Sequence, residues 1–477
     1  MSDVLTILFE LLKINGINRI FLSAGIENKN EPEDPFFTVK KILDRRSLSY
    51  YAMGVAQHSN KPVAIIIDND DASVADLLPG ITEAYYQDVP LLIVQVVSNL
   101  SSSWLKSSDF VIGDKSKSVI SLLHHDYSCE NQMINKMCYA IDSLTKYRGG
   151  PVFLQLENQK TDDICFLKAL KRHSIEDIID APILTRETFS GKNVFLIPDP
   201  CSSYSTDDVD NIICFCKCNN IRILPNDVYS FDMKTQWKRQ ASRPNLVIQF
   251  GTRLYDSTIS ELMKMDNIDE YWIIEPDPDI SDSRFIVSDI WDCDWRTFIN
   301  YMPSEEISPS LLLHENDKMN QSVSIVHRIV SNIATRVQSE IFIYGFRIFN
   351  EDITNALAGN SFIRSVCYSD PTGNDGKVSV FIGQSVILNP TVSILFIDSD
   401  QFFLDMNALH IRHIDKNVRI CLFTTSDDEC EKALAWAHDC GFTTLKYNKD
   451  NESLLDRFLS DSVECPLLLT ICLEHLR

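Results

Sequence analysis

Several short stretches combine residue types that can do chemistry. Asp44-Arg45-Arg46-Ser47 sets two guanidinium groups side by side. A guanidinium donates hydrogen bonds, never accepts them, and stays protonated at physiological pH. Arg45 therefore reads either as a surface or interface cation or as the holder of a small anion. Asp68 to Asp71 gathers acidic residues ahead of a helical stretch. That cluster suits a cation site, or an acidic first turn that complements the helix dipole. His124-His125 offers two proton carriers near neutral pH, or two histidines at a helix end. Cys214, Cys216 and Cys218 form C-x-C-x-C. Zinc takes four ligands, and no second Cys or His pair stands nearby, so the run reads as a helix with buried thiols. Gly149-Gly150 reads as a turn before a strand. The phosphate-loop, dinucleotide and nucleophile-elbow patterns are absent from the sequence.

The elements that must position these residues alternate. Apolar runs at Pro62 to Ile67, Pro90 to Val97 and Pro151 to Leu156 are continuous, as in strands buried on both faces. Amphipathic stretches such as Ala72 to Gln87 separate them. A second block starts at Asn193 and includes Ile221 to Leu224, Asn245 to Phe250 and Tyr271 to Ile274. A third carries Ile341 to Tyr344, Val392 to Ile397, Val418 to Phe423 and Pro466 to Ile471. Residues 303–320 read as a linker. The fold class predicted is α/β, three doubly wound domains over 1–160, 185–302 and 321–477.

Composition narrows the function. The 477 residues carry 67 Asp+Glu against 44 Lys+Arg, a net charge of −23. Phosphate-backbone binding needs a basic footprint, so nucleic acid and anionic membrane surfaces are not expected as partners. No apolar run approaches a membrane span, and the first residues read as an amphipathic helix rather than a signal peptide. The 14 Cys show no small-domain disulfide spacing, which predicts reduced thiols and a cytoplasmic location.

Within this framework Leu43 to Gly54 (LDRRSLSYYAMG) and Leu77 to Val97 (LLPGITEAYYQDVPLLIVQVV) resemble the first domain of thiamine-diphosphate-dependent enzymes. The likeness is strongest to SEPHCHC synthase (MenD) of menaquinone biosynthesis. Pro244 to Gly251 (PNLVIQFG) resembles that family's central domain. Thr372 to Gly383 (TGNDGKVSVFIG) and Phe402 to Leu409 (FFLDMNAL) resemble its last domain. The resemblance implies pyrimidine-type, central and diphosphate-type domains, and a homodimer or tetramer in which the first domain of one subunit faces the last domain of another.

The same resemblance exposes departures. The family's catalytic glutamate stands where this chain has Arg45. The family's magnesium ligands align with Ser399 and with the Thr424-Thr425-Ser426 stretch. Asp398 and Asp400 fall where a diphosphate would lie, and like charges repel. A shifted register would put Asp398 or Asp400 at the ligand position instead. A long Gly-rich lid is missing between Thr425 and the next helix, for which Ser426 or Asp427 is the expected cap. The substrate loop becomes Ser23 to Lys29, with Glu27 in place of an arginine. His124-His125 lies where thiamine-dependent decarboxylases carry a histidine pair.

The prediction is a catalytically lapsed relative that keeps the fold and acts as a binding, scaffolding or regulatory protein. Neither thiamine diphosphate nor magnesium is expected, and no catalytic or metal-binding residue is assigned. The cleft candidates for a small anionic ligand are Arg45, Arg46, Asp71, Gly373, Asp375, Ser399 and Thr425. The alternative is an active thiamine-diphosphate-dependent 2-oxo acid carboligase or decarboxylase that uses thiamine diphosphate and Mg2+.

Overall fold

The computed structural model describes residues 2–23, 31–68, 71–97, 116, 118–122, 130–145, 149–157, 160–161, 189–199, 204, 206–224, 244–251, 262, 268, 270–276, 289–291, 293–300, 325–346, 360, 362–368, 375–388, 392–448, 453–460 and 463–474. The chain divides into two compact units, Met1–Arg172 with Val323–Arg477, and His173–Ser322.

The first unit opens with β1 (Ser2–Asp3) and α1 (Val4–Ile14). Asp3 caps α1 by accepting the Thr6 N–H at 2.7 Å. The apolar face of α1, including Leu8, Leu11 and Leu12, is buried. There follow β2 (Arg19–Ser23), β3 (Thr38–Ile42), α2 (Arg45–Ser59), β4 (Val63–Asp68), α3 (Asp71–Tyr86), β5 (Leu91–Val97), β6 (Ser118–Leu122), α4 (Glu130–Ser143) and β7 (Val152–Glu157). The six strands β2 to β7 form a parallel sheet in the order β3-β2-β4-β5-β7-β6. The polar stretch after β7 holds one more short strand, β8 (Lys160–Thr161), antiparallel to β1.

The second unit has its own parallel sheet. Its elements are β9 (Val194–Ile197), α5 (Thr206–Cys218), β10 (Ile221–Ile223), β11 (Leu246–Phe250), β12 (Glu270–Ile274), β13 (Asp289–Trp291) and α6 (Trp295–Asn300). The order β10-β9-β11-β12-β13 is a doubly wound arrangement. Its core is aromatic, with Phe189, Phe215, Phe250, Trp272 and Phe298 buried together.

The first unit resumes with α7 (Ile325–Arg336), β14 (Ile341–Phe346), β15 (Ile363–Tyr368), α8 (Lys377–Ser385), β16 (Val392–Asp398), α9 (Ser399–Leu404) and a 3-10 turn (Met406–His410). It ends with β17 (Val418–Thr424), α10 (Asp427–Asp439), β18 (Thr443–Lys446), α11 (Ser453–Leu459) and β19 (Leu467–Cys472). The order β15-β14-β16-β17-β19-β18 repeats the topology of the first sheet, strand for strand. In such sheets ligands bind beyond the carboxyl ends of strands where the winding reverses.

The two sheets of this unit share one core through α2 and α8. Their crossing is close because Gly54 of α2 lies against the Val380 carbonyl, and Gly383 of α8 lies against the Tyr51 carbonyl. A Cβ at either glycine would press into backbone rather than a movable side chain. Among the described residues, no helix is long and apolar enough to cross a membrane.

Candidate functional site

Asp44 accepts the Arg46 N–H at 3.0 Å and so starts α2, which sets Arg45 and Arg46 in the first turn. Arg46 reaches the last domain's elements. Its Nε lies 2.9 Å from Asp375 Oδ2, its Nη2 meets the other Asp375 oxygen, and the same nitrogen donates to the Leu404 carbonyl at 2.7 Å. Arg45 takes a different course, with Nη1 3.6 Å from Asp76 Oδ2 of α3 and the side chain 20% exposed.

Below this pair sits Asp405, which is fully buried. Its carboxylate accepts the Ser379 N–H at 2.6 Å and the Ser379 hydroxyl at 2.9 Å. Gly376, the residue before α8, has no side chain to cap the helix, and Asp405 supplies the acceptor from another element. Gly376 is itself required: its φ is 73°, and the Tyr50 ring lies over the space a Cβ would fill. Burial pushes the Asp405 carboxyl up to about 7, against the Ser379 bonds and the nearby Arg46 charge. Burial lowers Lys377 to about 8, against the attraction of Glu83 and Asp405. Glu83 continues the polar seam through Gln87 and Gln57 to Gln384, the last step being 3.0 Å.

A second cluster forms at the carboxyl ends of β16 and β17. Asp398 caps α9 by accepting the Gln401 N–H at 2.8 Å. Burial raises its carboxyl above the ordinary range, and Asp400 adds to this. Thr425 and Ser426 alone join β17 to α10. Ser426 caps that helix, with the Glu429 N–H 3.4 Å from its hydroxyl. Glu429 reaches back, and its Oε2 accepts the Thr425 N–H at 2.9 Å and the Thr425 hydroxyl at 3.1 Å. The Ser399 hydroxyl donates to the same carboxylate. Partial burial works to raise Glu429, but these bonds outweigh it and hold the group below its ordinary value.

The structure thus joins Arg46 to Asp375, and Ser399 to Thr425, while Arg45 stands with Asp76. Asp71 is the first residue of α3. Gly373, Glu27, Asn69-Asp70, His124-His125 and the 303–320 segment lie outside the described residues. The C-x-C-x-C run is helical as expected, but its thiols are not all buried, since Cys214 is exposed. Cys214 and Cys218 share one face of α5, 4.0 Å apart, whereas Cys216 is buried in the core. Sequence reasoning missed Asp405 and Glu429. The Ser426-x-x-Glu429 capping box was the signal for the second.

The fold that carries these clusters is that of the thiamine-diphosphate-dependent enzymes. A solved thiamine diphosphate-dependent 4-hydroxybenzoylformate decarboxylase from Rhodococcus jostii RHA1 superposes with a TM-score of 0.70. That match covers 99% of each chain at 11% identity. In sequence the chain is similar to 2-succinyl-5-enolpyruvyl-6-hydroxy-3-cyclohexene-1-carboxylate synthase, the SEPHCHC synthase or MenD. It is 24% identical to the enzyme of Flavobacterium johnsoniae over 87% of this chain and 82% of that one. It is 22% identical to that of Phocaeicola vulgatus over 93% and 90%. The Bacteroides fragilis enzyme is 20% identical over 88% and 82%. No family model matches the chain.

Proposed function

We propose that the chain is a catalytically lapsed relative of SEPHCHC synthase, a binding, scaffolding or regulatory protein on the thiamine-enzyme fold. The observation that carries this reading is the Glu429 carboxylate. It is held by Ser399 and Thr425, and the resemblance aligns Ser399 and the Thr424-Thr425-Ser426 stretch with the family's magnesium ligands. Ser399 and Thr425 themselves offer only neutral hydroxyls, and the one carboxylate between them, Glu429, is engaged by both and by the Thr425 N–H.

The other substitutions agree. Asp398 spends an oxygen on capping α9. Arg45, in place of the glutamate, cannot accept a proton. The residues at these positions do not fit thiamine diphosphate with magnesium, and no catalytic step is assigned to that group. The ligand of this reading is a small anion beside Arg45. Self-association as a homodimer or tetramer and a cytoplasmic location go with it.

The competing reading is an active 2-oxo acid carboligase or decarboxylase. Likeness to the synthases over most of their length favours it. The two separate in an assay of CO2 release from 2-oxoglutarate or pyruvate with thiamine diphosphate and Mg2+ supplied. The lapsed reading predicts release at the level of the protein-free blank. Turnover that disappears when Mg2+ or the cofactor is withheld overturns it.

A further inference from the structure

We propose that Asp427, Cys430 and Cys472 form a binding site for a soft divalent cation of the zinc class. This inference is independent of the reading above. The carboxylate oxygen and the two sulfurs lie within 4.8 Å of one another. Around a tetrahedral zinc ion with Zn–S near 2.3 Å, sulfur atoms stand roughly 3.8 Å apart, so small side-chain movements close the site. Two thiolates and a carboxylate are a donor set that selects zinc over magnesium or calcium.

The fold explains why these residues meet. Asp427 and Cys430 are one turn apart in the first turns of α10 and share a face. Cys472 ends β19, paired in register with Thr424, the last residue of β17. The chain leaves β17, passes beyond β19 to form β18, and returns, so the winding reverses at this place. The cluster lies at the carboxyl ends of the strands beside that reversal, the usual position for a ligand in an open α/β sheet.

The surroundings suit a bound cation. Cys430 is fully buried and Cys472 is 5% exposed, whereas the Asp427 side chain is half exposed and leaves an entry path. The Thr424 hydroxyl lies 2.9 Å from Cys430 Sγ. With Cys430 as a thiolate the Thr424 hydroxyl is placed to donate to it, and such a bond orients and stabilises a ligating thiolate. Lys446 Nζ lies 3.1 Å from one Asp427 oxygen. Lys446 is shared with Glu431, whose Oε1 lies 2.7 Å from Nζ, so this ammonium and a divalent ion offset the two thiolates and the Asp427 carboxylate only in part. Three protein ligands leave the fourth position to water or to an incoming donor.

The test uses the full chain, reduced and free of metal, titrated with Co2+ as a spectroscopic probe. The site predicts a near-ultraviolet thiolate-to-cobalt band that saturates at one equivalent and is displaced by Zn2+. Cys472→Ser should at least halve the band. Asp427→Asn alters a half-exposed residue and should weaken Co2+ binding about tenfold or more. The proposal is overturned if no saturable band forms. It is equally overturned if the band survives Cys472→Ser and Asp427→Asn unchanged. A Cys430–Cys472 disulfide in protein that takes up no metal after reduction also overturns it. Should Cys472→Ser fail to fold, Asp427→Asn alone decides.

Discussion

Arg46 Nε donates to Asp375 Oδ2 at 2.9 Å across 329 residues of sequence. The pair ties the start of α2 to the turn that opens α8, and Arg46 Nη2 also lies 3.9 Å from the buried Asp405. Arg46→Ala therefore leaves the buried Asp405 with only Lys377 and the Ser379 donors to offset its charge. The expected loss of stability is about 2–3 kcal/mol, less than for a wholly buried pair because Arg46 is partly exposed. Asp375→Asn keeps the Arg46–Asp405 attraction and should cost about 1 kcal/mol. Urea unfolding of the two variants gives the comparison.

Asp405 makes stability depend on pH. Its carboxyl titrates near 3.8 when unfolded and near 7 when folded, because burial disfavours the charge. Between these values the folded state holds the extra proton, so this group's contribution falls as pH rises from 3.8 to 7. Lys377 acts in the opposite sense: between about 8 and 10.5 the unfolded chain holds the extra proton, and stability rises with pH. Denaturation midpoints across pH for Asp405→Asn and the parent chain should differ by a slope confined to the acid limb. A parallel displacement of the two curves contradicts the assignment.

The α2–α8 crossing predicts a steric effect. Gly383→Ala drives a methyl into the Tyr51 carbonyl, and Gly54→Ala drives one into the Val380 carbonyl. Each should cost about 1–3 kcal/mol, since neither helix can yield without moving its sheet. Gly441 has no atom near its Cβ position but holds φ at 88°, so Gly441→Ala separates backbone strain from overpacking. Thermal unfolding of the three variants measures both.

Much of the fold is visible in the residues themselves. Strands buried on both faces read as unbroken apolar runs, and β5 lies within Pro90 to Val97. The edge strand β3, with sequence TVKKI, is only partly buried and offers no such run. The site is less legible. Arg46 and Asp375 carry no local signature of each other, because only the packing of one sheet on the next joins them. Glu429 is legible as a helix cap, but its hold on Ser399 depends on β16 lying beside β17. Asp405 stands in a motif as an ordinary carboxylate, and burial alone changes its character.

The Glu429 carboxylate predicts a local cost when removed. Glu429→Ala frees the Thr425 N–H and the Ser399 hydroxyl and removes the reciprocal half of the α10 capping box while the Ser426 cap stays, which should lower stability by about 1 kcal/mol. Ser426→Ala should cost a similar amount through the same helix end. The double variant should lose less than the sum, because both side chains serve one turn. Chemical unfolding of the three variants checks the coupling.

Calorimetric titration of the full chain with thiamine diphosphate in excess Mg2+ tests the central claim most directly. With Glu429 fixed between Ser399 and Thr425, and Arg45 in the glutamate's place, the account predicts no saturable heat up to millimolar cofactor. Stoichiometric, Mg2+-dependent binding at micromolar affinity would contradict it.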